Sequence, residues 1–309
     1  MDNANLSLRL QLNDAYYFRN FLNMMKMESG PLVMLFSPTS ITFNQKNAKG
    51  CGIHELTFNL DEVAEYVYNF RDEEDKLLPL VKLVANPDEF FTRVKLIAKK
   101  DSILIYMYQD SSHFMIKPYK ATVEESSHDK ALILPLLDMP EVLASKTGED
   151  WSKVTPLKIT NKKFTDICSE SIGAKISDMT FSFDQANPNL IVIQGLSSNN
   201  NPVTHNQFSL RPGIGYSAAS TPLPEHEGKQ EAILDSLKNL NLNAHLGTEA
   251  AREIEPVRIP LKTVKTLAKI HTIGLNNSIQ IKIYIKPGWL RITSLVGTSA
   301  TYSSEYFNI

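Results

Sequence analysis

Little in this sequence advertises chemistry. Its 32 Lys and Arg are balanced by 34 Asp and Glu, a net charge of −2. No overall basic field draws a polyanion, so any such surface must be local. Cysteine occurs only as Cys51 and Cys168, too few for a disulfide framework, and this points to a reduced, intracellular setting. No apolar run approaches the roughly 18 residues of a membrane span, and the start, Met1 to Asn5, is polar. Neither a signal peptide nor a membrane segment is therefore expected. The seven histidines (His54, His113, His128, His205, His226, His245, His271) are scattered, none at metal-ligand spacing with Cys or another His. Gly213-Ile214-Gly215 lacks the third glycine and the strand–helix context of a nucleotide fingerprint, and no Gly-x-Ser-x-Gly or Walker run occurs. Asp72-Glu73-Glu74-Asp75, flanked by Arg71 and Lys76, reads as a solvated loop. These absences argue against an enzyme and imply no cofactor and no metal.

What the chain does have is internal similarity. Val94-Lys95-Leu96-Ile97-Ala98-Lys99 returns as Val264-Lys265-Thr266-Leu267-Ala268-Lys269, each copy leading into an alternating strand, Ile103–Tyr108 and Ile279–Ile285. Upstream, Leu6–Leu12 alternates as a strand, and Tyr17, Phe18, Phe21, Leu22 and Met25 follow at helical spacing. The counterpart runs from Leu157-Lys158-Ile159-Thr160 into a helix with Phe164, Ile167, Cys168 and Ser171. Each helix precedes two strands: Val33–Phe36 and Ile41–Phe43 around a Ser37–Ser40 turn, then Met179–Phe183 and Leu190–Ile193 around Asn187-Pro188-Asn189. The expected fold class is α+β: two tandem copies, each with two helices on one face of a mainly antiparallel sheet. The expected division is a first domain over 1–120, a connector over 121–153 and a second domain over 154–309. An insertion near 197–255 carries the amphipathic set Ile233, Leu234, Leu237 and Leu240.

The second helix of each copy is basic on the side away from its apolar stripe. Lys262, Lys265 and Lys269 share one face, while in the first copy Phe90, Phe91, Val94, Ile97 and Ala98 are expected to face the sheet. Arg93, Lys95, Lys99 and Lys100 are left outside. The first helices add Arg19 and Lys26, then Lys162 and Lys163. Such a stripe can be merely a solvated face. Matching lysines on equivalent helices suit phosphate contacts, which supply charge without reading sequence. Aromatic residues do not interleave on these faces, so single-strand stacking is disfavoured. The expected DNA surface comprises Arg19, Lys26, Arg93, Lys95, Lys99, Lys262, Lys265 and Lys269, with Lys100, Lys162 and Lys163 at its margin. In the connector, Leu137, Met139 and Pro140 form an apolar segment expected to lie exposed as a partner site.

The order of these elements resembles the sliding clamps of the proliferating cell nuclear antigen (PCNA) family over nearly the whole chain. Lys163–Cys168 looks like that family's first helix of the second domain, Leu137–Glu141 like its connector, and Val81–Ile105 like the second helix and next strand of its first domain. The resemblance implies two clamp (processivity-fold) domains per chain and a homotrimeric ring around duplex DNA, bound without sequence preference. It also implies tethering of a DNA polymerase and other replication or repair proteins, with no membrane association. The setting would be a site of DNA replication, in a nucleus or a viral replication compartment. Three features depart from the family pattern: Asp166 and Glu170 in the third helix, Lys46 near an apolar pocket position, and the ending Tyr302–Ile309, which lacks an acidic tail. Such divergence is what a viral or otherwise distant clamp would show. The alternatives are a herpesvirus-type processivity factor that holds DNA by charge without closing a ring, a subunit of a heteromeric checkpoint clamp, and a scaffold whose lysines are only solvated.

Overall fold

A computed structural model describes residues 5–28, 30–47, 51–119, 131–138, 150–184, 187, 189–210, 256–274 and 279–308. The first copy runs β1 (Leu6–Leu12), α1 (Ala15–Met25), β2 (Leu32–Ser37), β3 (Ser40–Lys46), β4 (Gly52–Phe58), β5 (Glu65–Tyr68), β6 (Val81–Ala85), α2 (Pro87–Val94), β7 (Ser102–Tyr108), β8 (His113–Tyr119) and β9 (Leu132–Pro135). The second runs β10 (Leu157–Thr160), α3 (Asn161–Gly173), β11 (Asp178–Phe183), β12 (Leu190–Leu196), β13 (Pro202–Ser209), β14 (Val257–Pro260), α4 (Leu261–Leu267), β15 (Gln280–Lys286), β16 (Trp289–Val296) and β17 (Ala300–Phe307). Among the described residues, and apart from β5, the two orders match strand for strand and α-helix for α-helix.

The sheets repeat as well. In the first copy β1-β7-β8-β9 and β4-β3-β2-β6 are neighbours; in the second, β10-β15-β16-β17 and β13-β12-β11-β14. All named strand pairs are antiparallel. Strand alternation sets which residues go inside. In β1, Leu8, Leu10 and Leu12 are buried, while Arg9 turns outward and pairs with Glu65 at 2.7 Å. Local chemistry starts the helices. Pro87 opens α2 behind Asn86, whose side chain accepts from the amides of Asp88 and Glu89, and Thr160 caps α3 by accepting from the Lys163 amide. Phe18 is the hub of the first copy's core, its ring centroid 5.3 Å from Phe43, 5.5 Å from Phe90 and 6.0 Å from Phe58.

Strand β17 of the second copy pairs with β4 of the first, from Ala300↔Phe58 to Tyr306↔Gly52, and this fuses one sheet of each copy into eight strands. Polar side chains cross the joint beneath that pairing. Asn20 donates to the Thr272 carbonyl at 2.6 Å, and the Thr266 hydroxyl donates to Glu28 Oε1 at 2.8 Å. His54 Nδ1 lies 2.7 Å from the Tyr302 hydroxyl, and His54 Nε2 lies 3.6 Å from Glu28 Oε1. Burial pushes the Tyr302 and Tyr306 hydroxyls well above their ordinary pKa, so both stay protonated.

Several sequence expectations change. Leu132–Pro135, placed in the 121–153 connector, forms β9 on β8. Pro202–Ser209, placed in the 197–255 insertion, forms β13 on β12; only Thr204 and Phe208 of its side chains are buried, too sparse an alternation to read as a strand. The repeated hexapeptide differs between the copies: Val264–Leu267 lies within α4, but its first-copy counterpart is almost wholly outside a helix. In the first copy α2 ends at Val94 and 95–100 form the turn beyond it, leaving Ala98 exposed instead of facing the sheet. The Ile233–Leu240 segment, Met139 and Pro140 lie outside the described residues.

Candidate nucleic-acid interface

The four helices of the described residues form one layer: α2 packs on α1, α1 on α4, and α4 on α3. Their apolar stripes (Phe18, Phe21 and Leu22; Phe90 and Val94; Phe164, Ile167 and Cys168; Val264 and Leu267) are buried in one continuous core. What remains outward is polar. Arg93, Lys95, Lys99, Lys100, Lys162, Lys262 and Lys265 are exposed; Arg19, Lys26, Lys163 and Lys269 are half-buried.

Arg19 and Lys26 have intramolecular roles that the sequence did not reveal. Arg19 Nη1 donates to the Ile97 carbonyl at 2.7 Å, and its guanidinium sits 4.4 Å from the Tyr16 ring centroid. Lys26 Nζ lies 4.2 Å from the centroid of Phe91. Arg19 thus ties α1 to the turn after α2, and Lys26, just past α1, contacts α2 through a ring face favourable to a cation. Lys95, Lys99 and Lys100 beyond α2, and Lys262 and Lys265 on α4, remain exposed. The layer is not uniformly basic: Asp88 and Glu89 in the first turn of α2, and Asp166 and Glu170 on α3, are exposed as well.

In the expected partner segment, Leu136 and Leu137 donate their amides to the carbonyls of Ser112 and Val84, which pins the chain after β9 across β6 while the Leu137 side chain stays exposed. Leu134 of the same stretch is buried, and Leu132 and Ile133 are exposed. Lys46, expected to alter a pocket, is half-buried at the end of β3 opposite Ile53.

The chain matches two solved structures over nearly its whole length. One is the PCNA2–PCNA3 complex from Sulfolobus tokodaii, with a TM-score of 0.63, 11% identity, and coverage of 97% of this chain and 98% of that one. The other is the proliferating cellular nuclear antigen of Entamoeba histolytica, with a TM-score of 0.64, 10% identity, and coverage of 98% of each. The chain has the fold of the PCNA-like sliding clamps. No family model and no curated protein matches the sequence.

Among the described residues the three sheets end on six strands with one partner each, β5 and β9, β10 and β6, β13 and β14, and two of these, β9 and β13, lie at matching ends of the repeat. β9 pairs only with β8, and β13 only with β12. Each carries an exposed apolar side chain, Ile133 (51% exposed) and Val203 (47%). Sequence reasoning missed both edges: Ile133 stands in a short apolar run, but Val203 is an isolated apolar residue among polar neighbours. Among the described residues no group of three or more His, Cys, Asp or Glu could hold a metal ion, and no helix is long and apolar enough to cross a membrane.

Proposed function

We propose that the chain is a DNA sliding clamp that acts as a polymerase processivity factor, assembling head to tail into a ring around duplex DNA. The observation that carries this reading is the joint between β4 and β17. By position in the repeat, β13 is the counterpart of β4, and β9 the counterpart of β17. Both are unpaired edges, which leave backbone donors and acceptors open to another strand. Repeating the internal joint between molecules pairs β13 of one chain with β9 of the next. Such a heterologous contact yields a closed ring when its rotation closes. In this proposal three chains, hence six copies, close the ring, as the family resemblance of the sequence implies. The first copy then ends with β9, the connector spans what lies between Pro135 and Leu157, and the second copy begins at β10.

The helix layer faces the DNA in this reading, and lysines such as Lys95, Lys265 and Lys269 meet phosphates without base readout. The exposed Leu137, with Met139 and Pro140 beyond it, is where polymerase and other replication proteins dock. The protein acts as a tether without catalysis, inside the cell at sites of DNA replication.

Changing Lys95, Lys265 and Lys269 together to Ala tests the DNA face. Binding of the unaltered protein to duplex DNA is expected to be indifferent to base sequence and to weaken steeply with salt, each neutralised phosphate releasing roughly 0.9 counterion. The triple variant should show a salt slope shallower by about 2 to 3, with its oligomer mass unchanged. An identical slope would remove these lysines from the DNA surface.

A further inference from the structure

We propose that the open edge of β5 is a docking strand for an extended, basic segment of a partner protein, which adds to the sheet β5-β1-β7-β8-β9 as a sixth strand. The proposal goes beyond the ring reading and does not need it. β5 and β9 lie at opposite ends of that sheet, so a strand added at β5 leaves β9 free.

β5 is the strand that the repeat does not require. In the second copy β10, the counterpart of β1, has β15 as its one described partner; in the first copy β1 lies between β7 and β5. The antiparallel register Glu65↔Gln11 and Val67↔Arg9 continues to Asn69, whose amide donates to the Ser7 carbonyl at 2.8 Å. Residues 65, 67 and 69 thus exchange hydrogen bonds with β1, and the amides and carbonyls of Tyr66 and Tyr68 point to the other side. No described strand meets them there. Past Tyr68 the chain folds back on itself. The Leu78 amide donates to the Phe70 carbonyl and the Asp72 amide to the Lys76 carbonyl, both at 2.9 Å, so the returning arm covers this edge at Phe70 and Asp72 before the chain leaves for β6.

The edge is held in place by its own side chains. The Tyr66 hydroxyl donates to the Ser37 carbonyl and the Tyr68 hydroxyl to the Leu78 carbonyl, both at 2.7 Å. Asp72 Oδ1 accepts from the amides of Glu74 and Lys76 at 2.9 and 2.8 Å, so the acidic run that reads as a solvated loop is a fixed turn. A strand already ordered loses little freedom when another adds to it.

Charge and apolar surface state what fits. Val67, Leu77 and Leu80 are 40%, 45% and 44% exposed and offer apolar contact at this end of the sheet. Around them residues 59–80 hold seven Asp and Glu against Arg71 and Lys76, a net charge of −5 in a chain of −2. Glu65 is paired with Arg9, but the other six carboxylates are on exposed residues. Such a field repels DNA and attracts a cationic peptide. It also opposes a second copy of this chain, whose β5 carries the same sign. The long stretch 211–255 does not match it either, with four Lys and Arg against seven Asp and Glu. The occupant is a separate protein, with apolar residues at alternate positions of an extended segment and Lys or Arg between them.

The test uses the full chain and, as probe, a short peptide of alternating lysine and valine. Fluorescence anisotropy gives the affinity, and amide exchange is resolved at Tyr66 and Tyr68. Binding should slow exchange of those two amides by about tenfold or more, because their donors gain strand partners. The same peptide methylated on its backbone nitrogens keeps its charge but cannot donate to a strand, and should bind about tenfold more weakly. Glu62→Lys with Glu73→Lys should weaken binding of the unmethylated peptide by about tenfold at low salt. Both side chains are exposed, so the melting temperature should not change. Equal binding of the methylated peptide would mean attraction by charge alone and would overturn strand addition. Unchanged affinity in the double variant would overturn the choice of a basic partner. Slowed exchange at Tyr66 and Tyr68 on raising protein concentration without peptide would make a second copy the occupant, against the proposal. Absence of protection at millimolar peptide would overturn it outright. None of these results depends on ring closure, which is judged separately by retention on DNA.

Discussion

Substituting His54 by phenylalanine is expected to destabilise the folded chain by about 1–3 kcal/mol, the scale for leaving a buried polar group without its partner. His54 is fully buried on β4, with Glu28 on one side and the Tyr302 hydroxyl on the other. Phenylalanine keeps the ring among its aromatic neighbours Tyr302 and Tyr306. It deletes both nitrogens, however, so the Glu28 carboxyl loses its histidine neighbour inside the joint. Adding Glu28→Gln to His54→Phe should recover part of the loss, because a neutral amide is less costly than a carboxyl group to bury beside an apolar ring. Urea unfolding of the two single variants and the double variant gives the coupling directly. Additive losses would mean that His54 and Glu28 act independently and that the joint does not depend on their pairing.

Phe18→Ala should cost more, about 3–5 kcal/mol, the range for truncating a buried aromatic. Phe18 touches α1, α2, β3 and β4 through Phe21, Phe90, Phe43 and Phe58, so its removal empties the centre of the first copy. Neighbouring rings cannot all close on one void without leaving their own packing. The counterpart Phe164 is equally buried in the second copy. Denaturant unfolding of Phe18→Ala should show the loss as a lower midpoint with an unchanged slope. A loss below about 1.5 kcal/mol, the scale of a conservative core swap, would show that the layer between helices and sheets collapses easily around the gap.

The duplication was legible because apolar periodicity survives divergence. Phe18, Phe21 and Leu22 in α1 and Phe164, Ile167 and Cys168 in α3 keep the same spacing, since each must face a sheet. Edge strands were not legible. β13 buries only Thr204 and Phe208, and β9 only Leu134, because a strand with one neighbour and one covered face needs little apolar pattern. That is why neither strand was read within the 121–153 and 197–255 stretches. The basic character of the helix layer was also readable, but the use of each cation was not. Arg19 and Lys26 look like surface charges in sequence, yet their contacts at Ile97 and Phe91 depend on α1 and α2 lying side by side. His54 gave no signal beyond a lone histidine in an alternating stretch. Its neighbours Glu28 and Tyr302 are remote in the chain and meet only through the joint.

Topological tethering is tested most directly by retention on circular against linear duplex DNA. The protein is first placed on a nicked circle, free protein is removed, and half of the sample is cut once before the bound fraction is followed with time at moderate salt. A closed ring held by its own β9–β13 joints should stay on the intact circle and run off the ends of the cut molecule. Equal loss from both would contradict encirclement and would instead support a clamp-fold protein that holds DNA by charge alone.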